Sequence, residues 1–130
     1  SSTCTGLAPP SFKRHVERDL VSNEVVYRML DEGGDLGTAA VLRIEEIDLD
    51  IGHDVERQFR IDEQNPLRAS SEIIERIMLR RGDWEIRVDA RCLLQATREH
   101  FILRAWLSAR EGDNEVFSRE WQETIARDLL

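Results

Sequence analysis

Between Trp84 and Leu94 every second residue is apolar: Trp84, Ile86, Val88, Ala90, Cys92 and Leu94. Glu85, Arg87, Asp89, Arg91 and Gln95 fall out of phase with them, and only Leu93 breaks the rule. Successive side chains of a β-strand point to opposite faces, so a run this long with one apolar and one charged side predicts a half-buried antiparallel strand. The alternation specifies a scaffold and names no reaction.

The same period recurs along the chain. Val16, Arg18 and Leu20 against Glu17 and Asp19 predict a short strand, followed across Ser22-Asn23 by a second one over Glu24 to Leu30. Asp31-Glu32-Gly33-Gly34-Asp35 reads as a turn or loop, since paired glycines reach backbone angles that other residues avoid. From Thr38 to Asp50 the apolar phase slips near Glu45-Glu46, which predicts a bulge or bend there and a break at Gly52. Val55, Arg57, Phe59 and Ile61 form a further strand, ended by Asn65-Pro66. Ser71 to Leu79 forms another, and Arg81-Gly82-Asp83 turns the chain into the stretch described first. Residues 99 to 110 continue the alternation up to Glu111-Gly112-Asp113-Asn114, a hairpin signal. Val116 to Ile125 reads as a last strand, although Phe117, Trp121 and Ile125 recur every fourth residue and would also share one side of a helix.

About eight mostly antiparallel strands in sequence must curl onto themselves or stack on a second layer. The expected fold is therefore all-β and single-domain: a meander, an up-and-down barrel or a strongly curved sheet. The alternative is a two-layer β-sandwich with a short C-terminal helix. Residues 1–12, with Gly6, Pro9 and Pro10 among small polar residues, read as a linker or leader, and 13–130 as the β domain. A length of 130 residues suits one hydrophobic core rather than two.

Composition narrows the partners. A net charge of −8 and a pI near 4.9 argue against nucleic acid and against an anionic membrane surface, both of which reward a basic patch. No apolar run approaches the roughly 20 residues needed to span a bilayer, and the first residues do not show the basic-then-apolar pattern that resembles a signal peptide. Cys4 and Cys92 make no disulfide framework, so a reducing, cytoplasmic setting is expected. The chain starts Ser1-Ser2-Thr3 without an initiator Met, as a piece excised from something longer would. Lys13 is the sole lysine, so nearly all cation–carboxylate pairs involve arginine, whose planar fork suits interfaces and cross-strand ladders.

No catalytic constellation emerges. His15, His53 and His100 are far apart and lack metal-ligand spacing, so no metal is expected. No serine stands in a G-x-S-x-G elbow, and neither a dinucleotide fingerprint nor a phosphate loop is present, so no cofactor is expected. Cys92, in phase with Trp84, Ile86 and Val88, is expected as a small buried side chain rather than a nucleophile. Trp84, Ile86, Val88, Phe101 and Leu103 are the candidate core or cavity lining. Arg87, Arg91, Arg104, Trp106 and Arg110 are the candidate interface, with Trp106 sharing its strand face with Arg104 and Arg110.

Taken together, HVERDL, NEVVYRML, RQFRIDEQNPLRAS, RGDWEIRVDARCLLQATREHF and LRAWLSAREGDNEVFSREWQETIARDLL carry a resemblance that spans Arg14 to Leu130. In order and spacing they resemble the C-terminal extension of some bacterial CocE/NonD-type hydrolases, predicted acyl esterases grouped with the X-Pro dipeptidyl-peptidase S15 family. Pro66-Leu67-Arg68-Ala69 departs from that pattern, which more often has Ser before the Ala. The resemblance implies that the family's catalytic Ser, Asp and His lie in an upstream domain, so no residue here inherits a catalytic role. The chain would then be a non-catalytic accessory domain. Its charged face, including Arg87, Arg91 and Arg104, would contact the upstream hydrolase domain of the same polypeptide or a second subunit in a homo-oligomer. The alternative is an independent β-barrel that binds a small apolar ligand, with Trp84, Phe101 and Leu103 lining its cavity.

Overall fold

Two glycines set the register of the long strands. Gly82 and Gly112 each have φ of 57° and each opens a two-residue turn, Gly82-Asp83 and Gly112-Asp113. Only the first central residue of each has positive φ, the sign pattern of the type II′ turn, whose twist matches that of the strands it joins. Around these turns lie β6 (Ala69–Arg81), β7 (Trp84–Ala96), β8 (His100–Glu111) and β9 (Asn114–Ala126).

The computed structural model describes residues 3–33 and 39–128. Gly34, Asp35, Gly37 and Thr38, the end of the terminal R-D-L-L and the opening Ser1-Ser2 lie outside the described residues. Five further strands precede β6: β1 (Cys4–Ala8), β2 (Ser11–Arg18), β3 (Glu24–Glu32), β4 (Val41–Ile44) and β5 (Leu49–Asp62). All nine belong to one antiparallel sheet with the path β1-β4-β5-β6-β7-β8-β9. β5 is long enough to hold two partners along one edge: Leu49 to Gly52 pair with β4, and Asp54 to Asp62 pair with β3, which in turn carries β2.

The fold is all-β, as the alternation predicts, but the sheet stays open. It neither closes into a barrel nor folds into a sandwich, and β9 continues as a strand to Ala126 where a helix was the alternative. Apart from a 3-10 turn at Glu45–Ile47, the described residues hold no helix. That turn, followed by Asp48 in the left-handed region, is the form taken by the phase slip at Glu45-Glu46. Gly52 does not break β5. It sits opposite Met78, whose side chain occupies the space a Cβ at position 52 would crowd. Residues 4–8, read as linker from their composition, pair with β4 as an edge strand because their backbone amides find partners there. Leu20 does not extend β2; with Val21 it lies fully in solvent in the β2–β3 loop.

A single layer cannot enclose a core. Among the large apolar side chains of the described residues only Val25, Val26 and Val55 are buried, the first two at the start of β3 and Val55 on β5 opposite Asp31; Ala39 and Ala40 are buried as well. The chain exposes 9197 Å². A compact monomer of its mass exposes about 7,100 Å².

Candidate interaction surface

Register assigns every strand residue to one of two faces. One cross-strand row reads His53, Ile77, Val88, Ala109 and Phe117 from β5 to β9; the next reads Val55, Glu75, Ala90, Leu107 and Arg119, and the one after it Arg57, Ile73, Cys92, Ala105 and Trp121. The opposite face carries rows such as Asp54, Arg76, Asp89, Ser108 and Ser118. Every exposed large apolar side chain on the regular parts of β2, β3 and β5–β9 belongs to the first face, among them Tyr27, Phe59, Ile73, Leu94, Trp121 and Ile125. Trp84 and Trp121 are each 41% exposed there and Ile125 50%. At its β2–β3–β5 end the same face dips into an open hollow of about 470 Å³ whose lining includes Val16, Tyr27, Phe59 and Ile61.

Trp84, Ile86, Val88, Phe101 and Leu103 share this face, with Trp84 and Phe101 at opposite ends of the β7–β8 pair, and form neither a core nor an enclosed cavity. The sheet does not curl far enough to cover them. Cys92 is exposed for the same reason, against the expectation of burial, and Ala90, Cys92, Ala105 and Ala109 form a low middle between bulkier flanks. Polar side chains interrupt the face: Arg57, Arg119 and Glu123 lie on it, and His53 Nε2 lies 3.5 Å from Glu75 Oε2, with the imidazole side chain only 14% exposed.

Arg87, Arg91, Arg104, Trp106 and Arg110 share the other face. There Arg87 lies opposite Arg110, and Arg91 opposite Trp106. The Arg91 guanidinium stacks on the Trp106 ring at 4.6 Å and donates to Glu72 at 2.8 Å, while Arg87 donates to Glu85 at 2.7 Å. Further pairs continue the ladder: Arg60 to Glu24 at 2.7 Å and Arg76 to Glu56 at 3.3 Å.

Near the β4 end of this face is Asp50, whose side chain is 4% exposed. Arg43 grips it with two hydrogen bonds of 2.7 and 3.1 Å, and Arg80 adds two more of 3.2 and 3.1 Å. The Arg43 bond, ahead of the one from Arg80, holds the Asp50 carboxyl below its ordinary value despite burial. Asp54 shows the reverse: burial first, then the Glu32 carboxylate opposite it on β3, push its pKa up against the pull of Arg76. Sequence reasoning missed the Asp50 cluster. Its members lie seven and thirty positions from Asp50, and only the registers of β4 and β6 on β5 bring them together.

The two faces therefore differ in what covering them would release. Much of the charged face is already paired within the sheet, so drying it would cost the hydration of many ions. The apolar face gains roughly 25 cal/mol for every Å² taken from water. The described residues contain no group of three or more His, Cys, Asp or Glu suited to a metal ion, and no helix long and apolar enough to cross a membrane. No family model, curated protein or solved structure matches this chain. The class its geometry defines is a single-layer β module with one self-paired charged face and one open apolar face.

Proposed function

We propose that this chain is a non-catalytic accessory module of a bacterial CocE/NonD-type serine hydrolase. It docks through the apolar sheet face onto the upstream hydrolase domain of the same polypeptide. The one-sided exposure of large apolar side chains carries this reading. Five strands of about 13 residues make a face of roughly 44 by 24 Å, or about 1,000 Å². Covered by a partner of equal area, it reaches the size class of permanent interfaces, about 2,000 Å² in total. The resemblance of five ordered fragments to the family's C-terminal extension supplies the identity of the partner. The docking face is the apolar one; the charged face, where Arg43, Arg60, Arg76, Arg80, Arg87 and Arg91 are bound to neighbouring carboxylates, forms the solvated side.

The ligand-carrier alternative required a closed barrel, and the open sheet removes that requirement's basis. The test starts from the reading frame that encodes residue 1, which should continue upstream into a hydrolase domain. That domain, expressed separately, should bind the 130-residue chain, and Leu94→Glu or Ile77→Glu should abolish binding while leaving the far-UV strand signature intact. A reading frame without a hydrolase domain, or binding indifferent to both substitutions, contradicts the proposal.

A further inference from the structure

Antiparallel sheets end in strands whose outer amides and carbonyls are unpaired, and natural proteins blunt such edges with shortness, proline, lysine or bulges. Two edges of this sheet are blunted that way. β1 is five residues long with a register shift, and β2 carries Lys13 and follows Pro9-Pro10. β9 is different. It runs 13 residues, is exposed throughout, and contains neither Pro, Lys nor Gly between Asn114 and Ala126. Its only irregularity is a register shift at the turn end, between Ala109 and Arg110 on the β8 side.

We infer that β9 is a self-complementary dimerisation edge, pairing antiparallel with β9 of a second copy about a two-fold axis at Trp121. Such an axis places each residue opposite the one equally far on the other side of Trp121. Arg119 then faces Glu123 of the other copy, twice over; Phe117 faces Ile125; Ser118 faces Thr124; Glu120 faces Gln122; and Trp121 faces itself. Every directly opposed pair in this central stretch is complementary or neutral. Opposite charges, aromatic pairs and hydroxyl pairs at these positions each favour the register.

Other registers lose this match. An axis at Glu120 sets Glu120 against Glu120 and Arg119 against Trp121. An axis at Arg119 opposes two arginines and pairs Glu115 with Glu123. An axis at Gln122 turns Trp121 onto Glu123, and one at Glu123 opposes two carboxylates. Moving the axis by one residue, a two-residue slip of register, is thus penalised in both directions, as a specified interface requires.

The pairing leaves both apolar faces on the same side of one continuous sheet, because a two-fold perpendicular to the sheet keeps like faces together. Edge dimerisation and docking of the apolar face are therefore compatible, and the inference stands independently of which domain covers that face.

Sedimentation velocity on the 130-residue chain tests it. The unaltered chain should be a dimer. Arg119→Glu and Glu123→Arg should each raise the dimer dissociation constant at least about 30-fold, since each reversal puts like charges at two places, and the double variant should restore the dimer. An unaltered chain that stays monomeric, single variants that remain fully dimeric, or a double variant that fails to recover would each overturn the inference.

A second measurement reads the register directly, in a Cys4→Ser/Cys92→Ser background. Trp121→Cys should form a covalent dimer on mild oxidation, because directly opposed Cα atoms lie about 4.5–5.5 Å apart, within disulfide reach. Arg119→Cys should not, its two copies being about 13 Å apart along the strands. Equal cross-linking of both, or none at 121, counts against a two-fold at Trp121.

Discussion

Asp50 and Asp54 sit four residues apart on one strand face and respond to acid in opposite directions. Asp50 is held below its ordinary pKa by Arg43 and then Arg80, so its ionised form stabilises the fold. That contribution is complete above the unfolded-state value near 3.9 and is lost as pH falls through the lower folded value. Asp50→Asn should therefore cost about 1.5–3 kcal/mol at pH 7, measured by urea unfolding, with the deficit vanishing at strongly acidic pH. Asp54 is held above its ordinary value by burial and by Glu32, so its ionised form burdens the fold at neutral pH. The burden is relieved as pH falls from the folded value toward the unfolded one. Asp54→Asn should raise the urea midpoint at pH 7 and lose that advantage in acid. Loss of stability by Asp54→Asn at pH 7, or a gain by Asp50→Asn, would contradict this assignment.

The hairpins depend on the same turn used twice. Neither Gly82 nor Gly112 has any atom within 4 Å of where a Cβ would stand, so replacing either by alanine tests backbone conformation alone. Each Gly→Ala change should cost about 1–2 kcal/mol, the penalty of an L-residue at positive φ, and because the Gly112 amide donates to the Glu85 carbonyl beside the other turn, the double change should depart from the sum. Strand periodicity made these elements legible in the sequence. The G-D turn signals mark where β6 becomes β7 and β8 becomes β9, and alternation places Trp84, Ile86, Val88, Phe101 and Leu103 on one face. The every-fourth recurrence of Phe117, Trp121 and Ile125 fits strand and helix alike, and the register onto β8 decides it. What alternation cannot encode is pairing over distance. Cys4–Ala8 looks like linker because its strand character comes from β4, forty residues on, and Asp50 acquires Arg80 only through the β5–β6 register.

For the whole molecule, alternation predicts a face that must be covered but leaves open whether the chain covers it itself. A barrel or sandwich would have hidden Trp84, Leu94 and Cys92; the open sheet leaves them in water, and with them the surface area of an interface. Cys92 lies near the middle of that face, opposite Ile73 and Ala105, and serves as a native reporter of what covers it. The direct measurement is its alkylation rate in the 130-residue chain and in the chain joined to the upstream hydrolase domain proposed for it. The isolated chain should react at the rate of an exposed thiol, and the joined protein at least about 100-fold more slowly, at a rate set by local opening. Equal rates in the two states would show that the apolar face is left open to solvent, contradicting its role as a docking surface.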